Sequence, residues 1–384
     1  MLGQMSQPAQ NFDFTVVGGG IAGASVAYEL ARDRTVCLLE AEERPGLHAT
    51  GRSAALFAPS YGGRAIRALT RASRAFFLAP PPGFSDTALL NARGCLYIAR
   101  SDQHELLMEL SSEIRASGGS LLDLPAQAAF ERVPLLRRDY VAEAALDPEA
   151  MDIDVNAVHQ GFMRGARAFG TTINTSHPLA RVSRDGEQWL IQLDDGRVIR
   201  TRVLVNAAGA WADQVALACG ARPIGLQPLR RTALLVDPPA HADVRSWPAV
   251  IDSEELFYFK PDGGRLLLSP ADETPAEPGD AQPDELDVAL AVDRVEKALD
   301  IEVRRVTHSW AGLRTFAPDR APVCGYDTRV SGFFWCAGQG GYGIQSSPAM
   351  ARAAASLARG EPLPGDIAAE GLCPDDLSPA RFSS

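Results

Sequence analysis

The sequence has no long apolar run and no paired arrangement of cysteines. The longest apolar stretches, such as Val203–Ala208, have the length of a strand and fall far short of the roughly 20 residues of a membrane span. Its six cysteines are scattered without a Cys-x-x-Cys pair, which is typical of free thiols in a reducing compartment, so we expect a cytoplasmic protein. Residues 1–11 hold neither a basic cluster nor an apolar stretch, and no signal peptide is predicted.

Metal-binding spacings and excess positive charge are also missing. The six histidines are dispersed without a His-Glu-x-x-His spacing, so no metal site is expected. Lysine and arginine total 37 against 48 aspartates and glutamates, which gives a formal net charge of -11. Because nucleic acid and anionic membranes repel an acidic chain, neither is an expected partner. A small-molecule substrate is expected instead.

Strand and helix signals alternate near the N-terminus and predict an α/β fold. The apolar run Phe12–Val17 leads into glycines, a helical pattern covers Ala24–Arg32, and a second apolar run, Thr35–Leu39, ends at Glu40. This order predicts a doubly wound, mainly parallel sheet. The 384 residues, 46% of them hydrophobic, exceed one compact core, so a second domain is expected.

Later segments carry mainly strand signals. Hairpin-like stretches lie between residues 180 and 200, and further strands are predicted at Val203–Asn206, Arg230–Val236, Phe257–Lys260 and Arg265–Ser269. Apolar periodicity predicts helices at Arg64–Phe77, Gln103–Ser117, Val155–Phe169, Asp284–Leu299 and Ser347–Arg359. These signals favour an α+β second domain built on an antiparallel sheet.

The turn after the first strand carries the pattern Gly18-x-Gly20-x-x-Gly23. The first glycine permits a tight turn, the second lets the backbone approach a pyrophosphate, and the third allows close packing of helix on strand. The helix N-terminus offers unpaired N–H groups to phosphates, and Glu40 lies where a carboxylate binds both ribose hydroxyls of an adenosine. The glycines alone are a weak signal, but strand, turn, helix, strand and acid together predict a dinucleotide site.

Two further segments favour FAD over a nicotinamide cofactor. The polar, small-residue loop Pro45–Ala54 can run along a pyrophosphate and a flavin. The late strand and glycine turn, Phe333–Ile344, place a second helix N-terminus where its dipole can stabilise an anionic reduced flavin. A helix that merely begins beside a C-terminal strand is the alternative interpretation of this turn.

These segments resemble the D-amino-acid oxidase (DAO) family of FAD enzymes. The resemblance is carried by Gly18–Gly23, Glu40, Thr50–Ser53, Asn206–Gly209, Gly340–Gly343 and the more specific stretches Gly51–Ala55, Ala72–Phe77 and Trp310–Arg314. Within the family it is to the bacterial D-arginine dehydrogenases, over nearly the whole chain. It implies hydride transfer from the α-carbon of a D-amino acid to flavin N5, after which the imino acid hydrolyses to a 2-oxo acid and ammonia.

The resemblance also implies a domain division. A discontinuous, Rossmann-like FAD-binding domain is expected over residues 12–85, 150–217 and 310–374. A substrate domain is expected over 86–149 and 218–309, with tails at 1–11 and 375–384. The FAD is expected to be non-covalent, because covalent members of the family attach it through cysteines or histidines at other places.

One set of residues is assigned to the cofactor. His48 is included because it can donate a hydrogen bond to a phosphate; the alternative is that its side chain faces solvent. The set is Gly18, Gly20, Ile21, Ala22, Gly23, Glu40, Ala41, His48, Ala49, Thr50, Gly51, Arg52, Ser53, Ala54, Val182, Ala208, Gly209, Trp211, Arg314, Gly340, Gly341, Tyr342, Gly343, Ile344 and Gln345.

Two arginines match the family's substrate clamp. A carboxylate substrate needs such a clamp, because bidentate pairing with a guanidinium fixes it in plane. Arg231 and Arg314 lie at the matching positions, although without the resemblance either would be interpreted as a surface charge. Gly312 lets the backbone lie close to the ligand, and the neighbouring Arg230 is interpreted as structural.

Three more side chains are expected at the substrate. Tyr61 would act as a lid, Tyr258 would hydrogen-bond the carboxylate, and Gln345 would reach the flavin or the substrate. Two buried aromatic residues with satisfied hydroxyls are the alternative for the tyrosines. No catalytic base is named, because a neutral amine lets the α-hydrogen leave as hydride once the substrate is positioned and desolvated.

The chain departs from the relative at the substrate side chain. Cys95 replaces the glutamate that holds D-arginine, and a neutral thiol cannot compensate a buried cation. Leu56, Ala58 and Ala249 replace a histidine, a threonine and a methionine, and Ile251 completes this specificity set. The departures predict a neutral, apolar or aromatic D-amino acid rather than D-arginine.

Two alternatives to this function stay open. One is an FAD-dependent oxidase or dehydrogenase of glycine, sarcosine or a proline-type imino acid. The other is a flavin-binding subunit whose own site is silent. The sequence does not distinguish a quinone, another carrier or O₂ as the electron acceptor.

Overall fold

The computed structural model describes residues 9–382 as strands and helices arranged around two large sheets. The strands are β1 Gln10–Val17, β2 Val36–Leu39, β3 Leu56–Phe57, β4 Leu90–Ala92, β5 Cys95–Ala99, β6 Leu122–Pro125, β7 Glu143–Asp147, β8 Met151–Ile153, β9 Thr172–Asn174, β10 Arg181–Asp185, β11 Gln188–Gln192, β12 Val198–Asn206, β13 Gln227–Val236, β14 Ala249–Asp252, β15 Tyr258–Asp262, β16 Arg265–Ser269, β17 Thr274–Pro275, β18 Val306–Phe316, β19 Val323–Tyr326, β20 Phe333–Ala337 and β21 Gln339–Gly340. The α-helices are α1 Ile21–Leu30, α2 Arg64–Leu78, α3 His104–Ala116, α4 Ala126–Arg132, α5 Val155–Ala168, α6 Ala212–Ala218, α7 Glu285–Ala298, α8 Ser347–Ala358 and α9 Gly365–Ala369.

The first sheet has eight strands and is parallel at its centre. Its order is β10-β11-β12-β1-β2-β9, with β20 beside β12 and β19 beside β20. The pairs β12–β1, β1–β2, β2–β9 and β12–β20 are parallel. Helix α1 packs against α5 and α8, so the apolar strands are covered by helices. The predicted doubly wound α/β fold is confirmed.

The second sheet has ten strands and is mainly antiparallel. Its order is β21-β18-β13-β16-β15-β14-β5-β7-β6, and β17 pairs with β13. Helices α4 and α7 contribute to the apolar core on one face. A three-stranded sheet, β3-β8-β4, lies apart from both. The predicted antiparallel sheet of the second domain is therefore confirmed.

Two strands extend further than the sequence indicated. Strand β12 continues unbroken from Val198 to Asn206. The polar residues at its middle had suggested two separate strands. Strand β18 covers Val306–Phe316 and pairs with β13 along its length, so it runs across the boundary proposed at residue 310.

The described residues also set limits on membrane and metal sites. Among residues 9–382 no helix is both long and apolar enough to cross a membrane. In the same range no group of three or more His, Cys, Asp or Glu side chains is arranged to hold a metal ion. The expected tails lie partly outside the described range, at residues 1–8 and 383–384.

Candidate active site

The turn between β1 and α1 is built so closely that only glycine fits at two positions. Gly18 has φ +105°, and a Cβ there would lie 2.5 Å from the carbonyl oxygen of Ala207. A Cβ on Gly23 would lie 1.8 Å from the carbonyl oxygen of Gly18. The first turn of α1 contains no acidic residue of its own. Such a terminus binds anions.

Two side chains hold this turn in place. Glu40, at the end of β2, accepts hydrogen bonds from the amides of Gly19 at 2.7 Å and Glu42 at 2.9 Å. Nε2 of His159, on α5, lies 2.8 Å from the carbonyl oxygen of Gly19. Burial lowers the pKa of His159, although this hydrogen bond opposes the shift. His159 was not among the predicted residues, because it lies 140 positions from the turn it supports.

A cavity of about 450 Å³ opens beside the glycine turn. Its wall also contains Thr315, whose buried Oγ1 has no hydrogen-bond partner in the described part of the chain. A buried hydroxyl without a partner indicates a ligand or water at that point. The predicted cofactor residues on this wall are Gly18, Gly20, Ile21, Ala22, Glu40, Ala41, His48, Ala49, Thr50, Arg52, Ala208, Gly209, Trp211, Gly340 and Gly343, together with Gly312.

The Pro45–Ala54 loop is fixed to both sides of this large cavity. Oγ1 of Thr50 accepts a hydrogen bond from the amide of Ile21 at 2.9 Å, which joins the loop to α1. Arg52 donates to the carbonyl oxygens of Ala281 at 2.8 Å and Ala311 at 2.9 Å, and it pairs with Asp280. The loop therefore connects the first sheet to β18 and to the segment before α7.

His48 lies on the wall of the large cavity with a partner already in place. Its Nε2 is 2.8 Å from Oε1 of Glu42, and its ring centroid is 4.8 Å from that of Trp211. Its buried Nδ1 has no partner within residues 9–382. Both open interpretations of His48 remain compatible with this position, since its side chain is 24% exposed.

A second, smaller cavity of about 60 Å³ adjoins the large one. The two are separated by the segments around Arg52–Ser53, Gly312–Arg314 and Gly340–Ile344, which contribute residues to both walls. The predicted residues on the wall of the small cavity are Ser53, Ala54, Leu56, Tyr61, Arg231, Ala249, Ile251, Tyr258, Arg314, Gly341, Ile344 and Gln345. The structure thus brings the predicted substrate residues together.

The two clamp arginines lie on neighbouring antiparallel strands. Arg231 on β13 lies opposite Gly312 on β18, and Arg314 lies two residues further along β18. They are therefore diagonal neighbours on one face of the sheet, about 7–8 Å apart at the backbone. A Cβ on Gly341 would lie 2.7 Å from the guanidinium carbon of Arg314, so this glycine leaves room for the arginine.

The charges of the clamp are only partly compensated by the protein. Arg231 donates through Nε to the carbonyl oxygen of Asp272 at 2.8 Å and through Nη2 to Glu273 at 3.1 Å, whereas its buried Nη1 has no partner in the described chain. Burial opposes the charge of Arg314, but the nearby oxygens of Tyr258 and Tyr61 outweigh it and raise its pKa. Both guanidinium groups are cationic.

Tyr61 and Gln345 close the small cavity. Tyr61 belongs to the loop of residues 58–63 between β3 and α2, here called the lid loop, and its ring packs edge-on against Tyr342 at 5.1 Å. Gln345 accepts a hydrogen bond from the amide of Ala58 at 3.1 Å, and its buried Nε2 has no partner among residues 9–382. Two unused donors, on Gln345 and Arg231, therefore line this cavity.

Six of the predicted residues lie on neither cavity wall. Gly23 and Gly51 shape the turns behind the large cavity, and Tyr342 stands behind Tyr61. Val182 lies on strand β10 and packs against an apolar core. Ala58, at the start of the lid loop, and Cys95 are fully buried in one apolar cluster, and burial raises the pKa of the Cys95 thiol.

The structure adds two charged groups that the sequence analysis did not assign to the site. Lys260 lies on the wall of the small cavity, two residues beyond Tyr258 on β15. Glu255 lies there in a left-handed turn with φ +54°; burial raises its pKa, and Arg231 and Arg314 oppose the shift. Strand alternation after Tyr258 was a signal that could have identified Lys260, and closeness to Tyr258 in the sequence indicated that Glu255 could reach the site.

Comparison with known proteins agrees with this geometry. The family model for FAD-dependent oxidoreductases of the DAO type matches residues 13–357. The hydrogen cyanide synthase subunit HcnC of Pseudomonas aeruginosa is 23% identical over 404 residues, covering 94% of this chain and 95% of that protein. Glycine oxidase from Geobacillus kaustophilus has a TM-score of 0.81 at 21% identity, covering 92% of this chain and 96% of its own. L-proline dehydrogenase from P. horikoshii has a TM-score of 0.82 at 21% identity, covering 98% and 99%.

The fit of the cofactor rests on features of the large cavity. The glycine turn, the helix terminus free of acid, Glu40 and the unpartnered hydroxyl of Thr315 suit a dinucleotide, and the small cavity adjoins its far wall. The family match covers most of the chain, and its members carry FAD. FAD is therefore the cofactor, and the chain belongs to the DAO family of FAD-dependent oxidoreductases.

Proposed function

We propose that the chain oxidises the amine of small neutral D-amino acids, with non-covalent FAD as the electron acceptor within the site. The observation that carries the proposal is the pair of diagonal arginines with an unused buried donor on Arg231, placed where the small cavity adjoins the FAD cavity. A pair of cationic guanidinium groups with a free donor suits a carboxylate. When bound, FAD accepts a hydride from the carbon that carries the amine.

The protein's own residues hold and orient the substrate. Arg231 and Arg314 bind the α-carboxylate, and the hydroxyls of Tyr61 and Tyr258 supply further hydrogen bonds to it. The lid loop and Gln345 keep water out of the small cavity while the substrate is held. The imino acid that leaves the site hydrolyses in water to a 2-oxo acid and ammonia, so the protein needs no residue for that step.

The size of the small cavity limits the substrate. Its volume of about 60 Å³ corresponds to roughly four to six water positions, which suits a small amino acid better than an aromatic one. The expectation of an apolar or aromatic side chain depended partly on Cys95 and Ala58, which lie behind the wall. A neutral side chain remains the proposal, because the α-carboxylate takes up the two arginines, Asp152 pairs with Lys260, and these three cations disfavour a cationic side chain.

The D-configuration rests on the resemblance of the chain to the bacterial D-arginine dehydrogenases. A preference for D-arginine itself is disfavoured, because Lys260, Arg231 and Arg314 repel the guanidinium group of its side chain. Reducing equivalents would pass from the flavin to a quinone, another carrier or O₂. We place the enzyme in the cytoplasm on the evidence of its scattered cysteines.

A second candidate is oxidation of secondary amines or glycine. It is supported by the small cavity and by the likeness of the fold to glycine oxidase and L-proline dehydrogenase. It requires the same carboxylate clamp, so the residues alone do not separate it from the first candidate.

Anaerobic mixing of the FAD-bound protein with amino acids tests both candidates through the loss of yellow flavin colour. Fast bleaching by D-alanine, D-serine or D-asparagine, with D-arginine slow, is the expected result. Fast bleaching by D-arginine would contradict the neutral side chain, and bleaching only by glycine, sarcosine or proline would select the second candidate. No bleaching by any of them would indicate a silent flavin-binding subunit.

The clamp is tested by replacing Arg314 on β18 and, as a control, Arg230 on the neighbouring strand β13. Arg314→Met should lower kcat/KM by about 30-fold or more, because it removes one of the two charged partners of a buried carboxylate. Arg230→Met is the matched control, since Arg230 pairs with Asp287 at 2.7 Å and lies off both cavity walls. Equal losses in the two variants would show that Arg314 does not bind substrate.

A further inference from the structure

Lys260 is one of only two lysines in a chain that otherwise uses arginine, and it is buried on the wall of the small cavity. It follows Tyr258 by two residues on β15, so both side chains point to the same face, about 6–7 Å apart along the strand. Ile251 on β14 pairs with Tyr258, and Ala249 continues that strand beside Lys260. Ala249 and Lys260 both line the small cavity.

The ammonium group is held rigidly by a carboxylate outside the cavity. Nζ of Lys260 lies 2.6 Å from Oδ1 of Asp152. Oδ2 of Asp152 accepts from Arg93 at 2.7 Å, and Arg93 is itself fixed to the carbonyl oxygens of Arg245 and Trp247. Asp152 therefore supplies a carboxylate partner for Lys260, shared with Arg93, and fixes its position.

Lys260 nevertheless keeps hydrogen-bond donors to spare. An ammonium carries three N–H groups, and within residues 9–382 the only hydrogen-bond partner of Nζ is Asp152. The residue is 4% exposed, so bulk water does not satisfy the other donors. A buried donor without an acceptor is unfavourable, and this one lies on the wall of the proposed substrate cavity.

We propose that Lys260 determines side-chain specificity by donating a hydrogen bond to a neutral carbonyl oxygen on the substrate, as in D-asparagine. The proposal rests on the proposed function for the place of the α-carboxylate, at Arg231, Arg314 and Tyr258. From there a side chain that extends along β15 meets the ammonium within one strand repeat. A neutral oxygen suffices, because the ammonium already has a carboxylate partner in Asp152.

Two ligands without an amine test recognition separately from oxidation. Succinamate has the carboxylate and amide of asparagine, and 4-methylpentanoate has the same shape without the amide. Titration of the FAD-bound protein, followed by the change in flavin absorbance or by calorimetry, should show succinamate binding at least about tenfold tighter. Equal affinities, or tighter binding of 4-methylpentanoate, would overturn the proposal without any variant.

Variants of the two lysines complete the test. Lys260→Met should remove the preference for succinamate, and Asp152 would keep Arg93 as its partner. Lys260→Arg keeps a donor and should retain part of the preference. This variant tests the proposal if Lys260→Met does not fold. Lys297→Met is the matched control, because Lys297 is exposed on α7 and pairs with Asp293. An unchanged preference in folded Lys260→Met would overturn the proposal.

The same preference should appear in turnover. D-asparagine should exceed the similarly shaped D-leucine in kcat/KM by about tenfold in the native protein, and Lys260→Met should equalise them. If no amino acid reduces the flavin while the succinamate preference holds, the proposed function fails and the role of Lys260 stands. If amino acids reduce the flavin without any such preference, only the role of Lys260 fails.

Discussion

At the scale of single residues, contacts explain why the fingerprint contains glycine. Gly18 needs glycine for its positive φ and for its approach to Ala207, whereas Gly23 needs it only because α1 lies against the carbonyl of Gly18. Gly20 has no such restriction, since the nearest atom to a Cβ there is Oγ1 of Thr50 at 3.3 Å. Gly18 and Gly23 are therefore required for different reasons, and Gly23 is required for packing.

Gly23→Ala tests that requirement. The added methyl group must push α1 away from β1, which should lower the free energy of unfolding by about 1–3 kcal/mol and weaken FAD binding. Denaturant unfolding and fluorescence titration with FAD measure the two effects. Gly365→Ala is the control, because nothing lies within 4 Å of a Cβ there and its φ is ordinary. A Gly23→Ala variant as stable as the control would contradict the packing explanation.

A buried carboxylate beneath the lid loop is the second feature at this scale. Asp147 is 1% exposed and accepts hydrogen bonds from Oγ of Ser60 at 2.5 Å and from the amide of Glu149 at 2.8 Å. Ser60 precedes Tyr61, so Asp147 positions the lid residue from below. Burial raises the pKa of Asp147, and the hydrogen bond from Ser60 opposes the shift.

The sign of this shift predicts a pH dependence of stability. The native protein holds the proton of Asp147 more tightly than the unfolded chain, so stability falls as the pH rises from the ordinary value of 3.8 through the raised pKa. Asp147→Asn should remove this fall, which thermal unfolding at several pH values would show as a difference from the native protein. Asp102→Asn should change the profile in the opposite sense, because Arg100 lowers the pKa of Asp102. Parallel profiles for native protein and Asp147→Asn would contradict the assignment.

At the scale of elements, Arg52 joins β18 to the segment before α7. Its side chain is 18% exposed. It donates to the carbonyl oxygen of Ala311 on β18, and it contacts Ala281 and Asp280 in the segment before α7. Asp280 is largely exposed, whereas the two carbonyl oxygens face a protected guanidinium. The hydrogen bonds to carbonyl oxygens should therefore contribute more than the ion pair.

Variants of Arg52 and Asp280 separate these contributions. Arg52→Met should raise the Kd of FAD about tenfold or more, because the segment that carries Ala281 on the cavity wall loses its anchors. Asp280→Asn should change the Kd less than about fivefold, as expected of an exposed pair. Fluorescence titration of the apoprotein with FAD measures both Kd values. A larger effect from Asp280→Asn would show that the ion pair is the main anchor.

Elements differ in how far the sequence could predict them. Helices α2, α5 and α7 and strand β16 were predicted nearly to the residue, because their apolar periodicity matches the face they bury. Strand β18 was missed, because its partner β13 stabilises a stretch of small and polar residues that has no pattern of its own.

The candidate site shows the same division. The glycine turn and Glu40 follow one another locally and could be predicted, and the clamp arginines came from the resemblance. His159 and Asp147 depend on contacts with residues 140 and 87 positions away, which no local pattern records. Lys260 shares a strand face with Tyr258, which is a local signal, but its place on the cavity wall follows only from the folded sheet.

At the scale of the whole molecule, residues of both large sheets line the FAD cavity. Gly18–Ile21 and Ala207–Gly209 line it from the first sheet, Gly312 and Thr315 line it from β18 of the second, and Gly279 and Ala281 close it from the preceding loop. A ligand that touches all of these segments stabilises them together, since only the folded arrangement binds it.

Removal of FAD should therefore loosen both sheets around the cavity. With FAD at 100 times its Kd, binding adds about 2.7 kcal/mol to the free energy of unfolding, and the apoprotein lacks this stabilisation. Hydrogen exchange should rise in the apoprotein at residues 18–21 and also at 279–281 and 312–315, whereas the distant edge strand β6, Leu122–Pro125, should exchange as before. A rise confined to residues 18–21 would mean that FAD is held by the first sheet alone. Arg52→Met should reproduce the rise at 279–281 with FAD still bound, because that segment depends on Arg52 for its attachment to the cavity wall.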